Sequence, residues 1–159
     1  MELFTIGVYN SSENEFFDKL KINQIDTFCD IRQRRGVRGS KYSFVNYNRL
    51  QHKLNELEIK YGYIHELAPT TEIRDIQKNV DMARRELKNK RQFLDKVFIT
   101  EYTSKILNNF NFESFIEQLE QVNASRIVFF CVEEFPEACH RSLVTDKIYN
   151  KFKFMTTHL

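Results

Sequence analysis

The densest chemistry in the chain lies in one segment, Cys131-Val-Glu-Glu-Phe-Pro-Glu-Ala-Cys-His-Arg-Ser142. Cys139, His140 and Arg141 fall where a helix should begin, and free amides at a helix start favour negative charge and depress a thiol pKa. His140 is a candidate general acid or base, with Glu133 as its partner or as a base in its own right. Arg141 is a candidate anion ligand, and Cys131 and Ser142 would border the same pocket. Simpler readings stand beside these. Cys131 is a small core residue of an apolar strand, Cys139 packs in the helix–sheet contact, and Glu134 and Glu137 merely suit a helix N-terminus.

A second stretch is Asp30-Ile-Arg32 followed by the loop 32–41, RQRRGVRGSK, which holds five positive charges, two glycines and no acid. Guanidinium forks match phosphate and carboxylate oxygens, and glycines let backbone amides approach an anion. Arg32, Arg34, Arg35 and Arg38 are therefore candidate anion ligands, against the alternative of a solvated basic loop. Asp30 is a candidate base kept ionised by Arg32, or half of a structural ion pair. Tyr9 and His65 follow two other strands and complete the set. The run Arg84, Arg85, Lys88, Lys90, Arg91 and Lys96 reads as a solvated helix face.

Spacing decides among sharper ideas. A phosphatase-type loop needs an arginine and glycines after its cysteine; Glu137 stands at the arginine position after Cys131, and the loop has no glycine. A sulfurtransferase-type loop rings its cysteine with backbone amides, and this acidic loop fits that poorly. Zinc on Cys131, Cys139, His140 and His65 lacks any C-x-x-C or H-x-x-x-H pair, and adjacent Cys139 and His140 diverge if both are helical. No metal site is expected, and the cofactor is left open.

These groups need elements to bring them together. Leu3–Val8, Ile25–Ile31, Tyr61–His65 and Arg126–Val132 read as strands, the last apolar throughout, as a strand covered on both faces is. Phe152–Met155 reads as a final strand. Ser12-x-x-Glu15 is a capping box ahead of Phe16, Phe17 and Leu20. Asn46 and Asn111 can cap helices carrying Leu50 and Leu54, and Phe115, Ile116 and Leu119. Another helix spans about 138–151, with Leu143, Val144, Ile148 and Phe152 inward. Residues 70–110 are polar and read as two extra helices, roughly 72–88 and 90–108. The alternation predicts a single α/β domain over 1–159: three layers, a mostly parallel, Rossmann-like sheet of about five strands, and an added helical segment around 70–110. Ligands of such sheets sit beyond the carboxyl ends of the strands, where all the candidate groups fall.

Composition sets outer bounds. The 159 residues carry 24 Lys and Arg against 22 Asp and Glu, a net charge of +2 that names no partner. The chain is 42% hydrophobic and 29% charged, a globular rather than a disordered balance. MELFTIGVYN has neither a basic n-region nor a long apolar run, and three cysteines form no disulfide framework. A cytoplasmic, reduced protein without a membrane partner is expected; the oligomeric state is open.

The motifs, taken together, resemble the family catalogued as domain of unknown function 488. The matching residues are Thr5-Ile-Gly7, Asp30-Ile-Arg32 with Arg34-Arg35, Tyr63-Ile-His65, then Cys131-x-Glu133, Pro136 and Cys139-His-Arg-Ser142, with Asp146 and the His158-Leu159 end. Two segments depart: Val8-Tyr9-Asn10 stands where members often carry His-Ser, and Ala68–Arg74 replaces a glycine-rich segment. The resemblance implies a compact α/β domain and carries no established reaction.

The expectation for function is an enzyme acting on a phosphorylated, nucleotide-like or nucleic-acid substrate. Arg32, Arg34, Arg35, Arg38 and Arg141 would hold the anion, while Glu133, His140, Asp30 and Cys139 do the chemistry. The rivals are a non-enzymatic nucleic-acid-binding module and, more weakly, a thiol- or metal-responsive protein using Cys29, Cys131 and Cys139.

Overall fold

The computed structural model describes residues 1–159. Its five strands are β1 (Glu2–Ile6), β2 (Thr27–Asp30), β3 (Lys60–Tyr63), β4 (Arg126–Phe130) and β5 (Thr156–His158). All pair in parallel, in the order β3-β2-β4-β1-β5. The six helices are α1 (Glu13–Ile22), α2 (Tyr47–Glu56), α3 (Thr71–Arg84), α4 (Lys96–Tyr102), α5 (Phe112–Gln121) and α6 (His140–Phe152).

Alternation along the strands divides the core in two. Phe4, Phe28, Val128 and Phe130 face one way, onto Phe16, Phe17 and Leu20 of α1 and Leu50 and Leu54 of α2. Leu3, Cys29, Ile127 and Phe129 face the other, onto Ile73, Phe98, Tyr102, Phe112, Phe115, Val144 and Ile148. The result is a three-layer α/β domain. Successive residues of a strand point to opposite faces, so an unbroken apolar run such as Ile127–Phe130 belongs to a central strand covered twice.

Local signals act as read at most ends. Ser12 and Glu15 close the capping box of α1, and Asn111 Oδ1 accepts the Ser114 amide at the start of α5. Asn46 does occupy the N-cap of α2, but its Oδ1 accepts the Val37 amide instead, at 2.7 Å, tying down the cationic loop. The added segment differs from the two-helix reading. α3 stops at Arg85 in the left-handed region, residues 86–95 are largely irregular, and short α4 runs into a π-helical turn over Thr103–Leu107. The last strand is also displaced. Phe152 ends α6 and stacks on Phe154, so the strand begins only at polar Thr156. No helix is long and apolar enough to cross a membrane.

Candidate functional site

Site geometry begins with Gly7, just past β1. A Cβ built there would lie 1.9 Å from the Glu133 carbonyl oxygen, so the β4–α6 loop approaches β1 as only glycine allows. Arg141 secures the approach: Nη1 donates to the Glu133 carbonyl at 2.5 Å, Nη2 to that of Glu134 at 2.8 Å, and Nε to Thr5 Oγ1 at 3.4 Å. It is 1% exposed. This corrects the expectation that Arg141 holds an anion, because every guanidinium nitrogen already has an internal acceptor. Ser142 likewise turns back to the Cys139 carbonyl, at 3.0 Å, instead of facing a pocket.

The loop so fixed delivers a compact buried group. Cys131, Cys139 and His140 offer donor atoms all within 4.8 Å of one another. The Cys131 thiol donates to Glu133 Oε2 at 3.1 Å, and Cys139 Sγ lies 3.7 Å from His140 Nδ1. His140 Nε2 is 2.9 Å from the Ile31 carbonyl. A carbonyl can only accept, so Nε2 carries the hydrogen and neutral His140 turns the Nδ1 lone pair toward the thiols. Cys139 and His140 converge because they are not both helical. Cys139 is the extended N-cap, with φ −139° and ψ 143°, and only His140 opens the helix.

Glu133 is also buried, and its charge is balanced from an unexpected quarter. Arg91 Nη2 and Lys88 Nζ reach Oε1 at 3.2 and 3.3 Å, while Arg91 Nη1 binds Asp81 at 2.7 Å and Nη2 also donates to the Ala138 carbonyl at 2.9 Å. Burial alone would raise the Glu133 pKa, but Lys88 and Arg91, followed by His140 and the Cys131 thiol, outweigh it and hold the carboxyl well below its usual range. Glu133 is thus a fixed anion and a poor proton carrier near neutrality. The reading of Arg84–Lys96 as a wholly solvated face is corrected at two positions: Arg91 is buried and Lys88 turns to Glu133. A buried arginine on an irregular segment has no periodic signature. The only hint was that a buried Glu133 demands a cation.

Burial opposes the charge of His140, but Cys131, the Ile31 carbonyl and Glu133 outweigh it and raise its pKa. The Cys131 thiol is pushed up by its hydrogen bond with Cys139 and by burial. Tyr9, partly exposed, and Lys88, about half exposed, flank Glu133 of this group; burial pushes the Tyr9 phenol up.

The other predicted residues divide. Asp30 is wholly buried and accepts from Arg32 N, Nε and Nη2 at 3.1, 2.9 and 2.7 Å and from Tyr61 at 2.9 Å. Both oxygens are occupied, which corrects its assignment to proton transfer; it is half of a structural ion pair. Arg32 is buried over the Phe130 ring and gives two nitrogens to Asp30, while Nη1 has no partner. Arg35 lies between the rings of Tyr47 and Tyr63, at 3.8 and 4.2 Å. Arg34 and Arg38 are exposed and form no salt bridge. The loop ends at Tyr42, whose ring lies 5.4 Å from that of Tyr9 and whose hydroxyl accepts the Asn10 amide. His65 is exposed against Tyr63, outside the thiol group. Cys29 lies in the opposite half of the core, its thiol pushed up to about 12 by burial and by Asp30, and does not join the other two.

Fold and site define a parallel α/β domain whose carboxyl edge joins a buried thiol–imidazole–carboxylate group to an exposed cationic loop. The family model Domain of unknown function DUF488 matches residues 12–148, and the chain belongs to that family. No curated protein and no solved structure matches it.

Proposed function

We propose that the protein is an enzyme acting on a phosphorylated, nucleotide-like or nucleic-acid substrate at the carboxyl edge of the sheet. The observation that carries this reading is the buried group itself. Two thiols, an imidazole and a fixed carboxylate gather where a parallel sheet places its ligands. Burying so many ionisable groups costs stability that an apolar packing would not, which marks them as functional. Arg34 and Arg38 supply exposed cations on the loop that follows β2, and the unpartnered Nη1 of Arg32 is a buried donor suited to an anionic oxygen. A surface depression of about 420 Å³ between Asn10–Glu13 and Ser40–Ser43 adds serine hydroxyls and Lys41, while Arg49 there is paired with Glu13. Three buried free thiols suit a reducing, cytoplasmic setting.

One observation favours a second reading. Arg35 clamped by Tyr47 and Tyr63, with Arg34 and Arg38 alongside, is the basic-aromatic surface of a module that only binds single-stranded nucleic acid.

Binding and turnover of nucleotides and short oligonucleotides, measured across a salt series, test both. The Arg34→Ala/Arg38→Ala pair should lose binding, while Glu133→Gln should retain binding and lose turnover. Salt-sensitive binding without turnover supports the module. Absence of both binding and turnover overturns both readings.

A further inference from the structure

We propose that Cys131, Cys139 and His140 form a binding site for a single zinc ion. It goes beyond the reading above and holds whether or not the substrate is anionic. Tetrahedral zinc has bonds of about 2.3 Å to sulfur and about 2.0–2.1 Å to nitrogen, so neighbouring S and N ligands should lie roughly 3.6 Å apart and two sulfurs roughly 3.8 Å. Cys139 Sγ and His140 Nδ1 are already 3.7 Å apart, and the three donor atoms lie within 4.8 Å. One pair thus already has the spacing of two ligands on one ion, and side-chain adjustment of about 1 Å at most brings the third donor onto it.

The imidazole is held as a zinc ligand requires. Its Nε2 hydrogen goes to the Ile31 carbonyl at 2.9 Å, fixing the tautomer and leaving Nδ1 as the donor. Backbone conformation solves the adjacency problem: extended Cys139 sends its sulfur to the same point as the first helical side chain. Charge also closes. Two thiolates neutralise the ion, and neighbouring Glu133 is already matched by Arg91 and Lys88 on Oε1. Two soft sulfurs and one imidazole select zinc over the hard cations. Three protein ligands leave a fourth position open, on the pattern of catalytic rather than closed structural sites. Zinc binding releases the Cys131 proton that the thiol now donates to Glu133 Oε2, and that oxygen, 3.1 Å from Cys131 Sγ, stands beside the centre.

The test is metal content and cobalt substitution on the full chain. Wild-type protein isolated under reducing conditions without chelator should hold one zinc per chain. After stripping, added Co(II) should give a tetrahedral visible spectrum with a sulfur-to-cobalt charge-transfer band, reversed by zinc. Cys139→Ser and His140→Gln should weaken uptake at least tenfold, and Arg34→Ala/Arg38→Ala should leave it unchanged, separating this site from substrate binding. The site is overturned if reduced wild-type chain takes up neither zinc nor cobalt. It is equally overturned if the chain is isolated with Cys131 and Cys139 joined as a disulfide, or if folded Cys139→Ser protein binds cobalt like wild type.

Discussion

Gly7 and Glu133 touch across the carboxyl edge, with the Glu133 carbonyl in the space that a side chain on residue 7 would fill. The obstacle is backbone, held by Arg141, so it cannot swing aside as a side-chain tip would. Gly7→Ala should therefore displace the β4–α6 loop and destabilise the fold by about 1–3 kcal/mol, the range of overpacking. Urea denaturation gives the cost, and zinc uptake should fall with it, because the same loop carries Cys131 and Cys139.

Arg91 separates a structural cation from a surface one. Arg91→Met leaves Glu133 and Asp81 buried with reduced compensation, and should cost about 3–5 kcal/mol. The companion variant Arg91→Met/Glu133→Gln should cost less than the sum of its parts, because the two residues share one ion pair. Additive unfolding energies would deny the coupling.

Arginines of the cationic loop should split in the same way. Arg32→Ala strips buried Asp30 of its two guanidinium hydrogen bonds and its counter-charge and should unfold or severely destabilise the protein. Substituting Arg34 and Arg38 should move the melting free energy by no more than about 0.5 kcal/mol. Thermal melts of the three variants compare them directly.

Acid stability should depend on Asp26, just before β2. Burial raises its pKa, but bonds from Ser125 Oγ, Thr27 Oγ1 and the Arg126 and Ser125 amides outweigh this and lower it. A depressed carboxylate contributes stability that is complete above its unfolded value, near 3.8, and disappears as pH falls through the lower folded value. Asp26→Ala should cost about 1–3 kcal/mol at neutral pH. Its deficit relative to wild type should shrink below pH ~4. Urea titrations at several pH values measure it, and a deficit that stayed constant through the acid limb would remove Asp26 from the account.

How far the sequence reached can be traced residue by residue. β4 was legible because a doubly covered strand leaves an apolar run, and α1 because Ser12 and Glu15 are local. β5 was not, because an edge strand of Thr156, Thr157 and His158 carries little apolar signal; its place is set by parallel pairing with Leu3–Thr5 and by His158 Nδ1 meeting Thr5 Oγ1 at 2.7 Å. Convergence of Cys131, Glu133, Cys139 and His140 followed from where parallel sheets keep their ligands. The inward turn of Arg91 did not, since it depends on Asp81 and the Ala138 carbonyl, contacts that arise only once the chain has folded. Asp30 and Arg32 were correctly paired but given too active a part, because burial decides between a base and a brace, and burial is tertiary.

Strand order has a consequence for synthesis. Both neighbours of β1, namely β4 and β5, come from the chain beyond residue 125. While the ribosome is still making the middle of the protein, Glu2–Ile6 has no edge to dock against, and β2 and β3 can join only each other. The hydrogen-bonding rims of β1 and β2 stay open to stray pairing until Arg126–Phe130 slides between them and welds the two halves. A nascent chain stalled before that point would expose Leu3–Ile6 as a sticky ribbon, so this architecture places a premium on rapid completion or on a chaperone that shields the amino terminus.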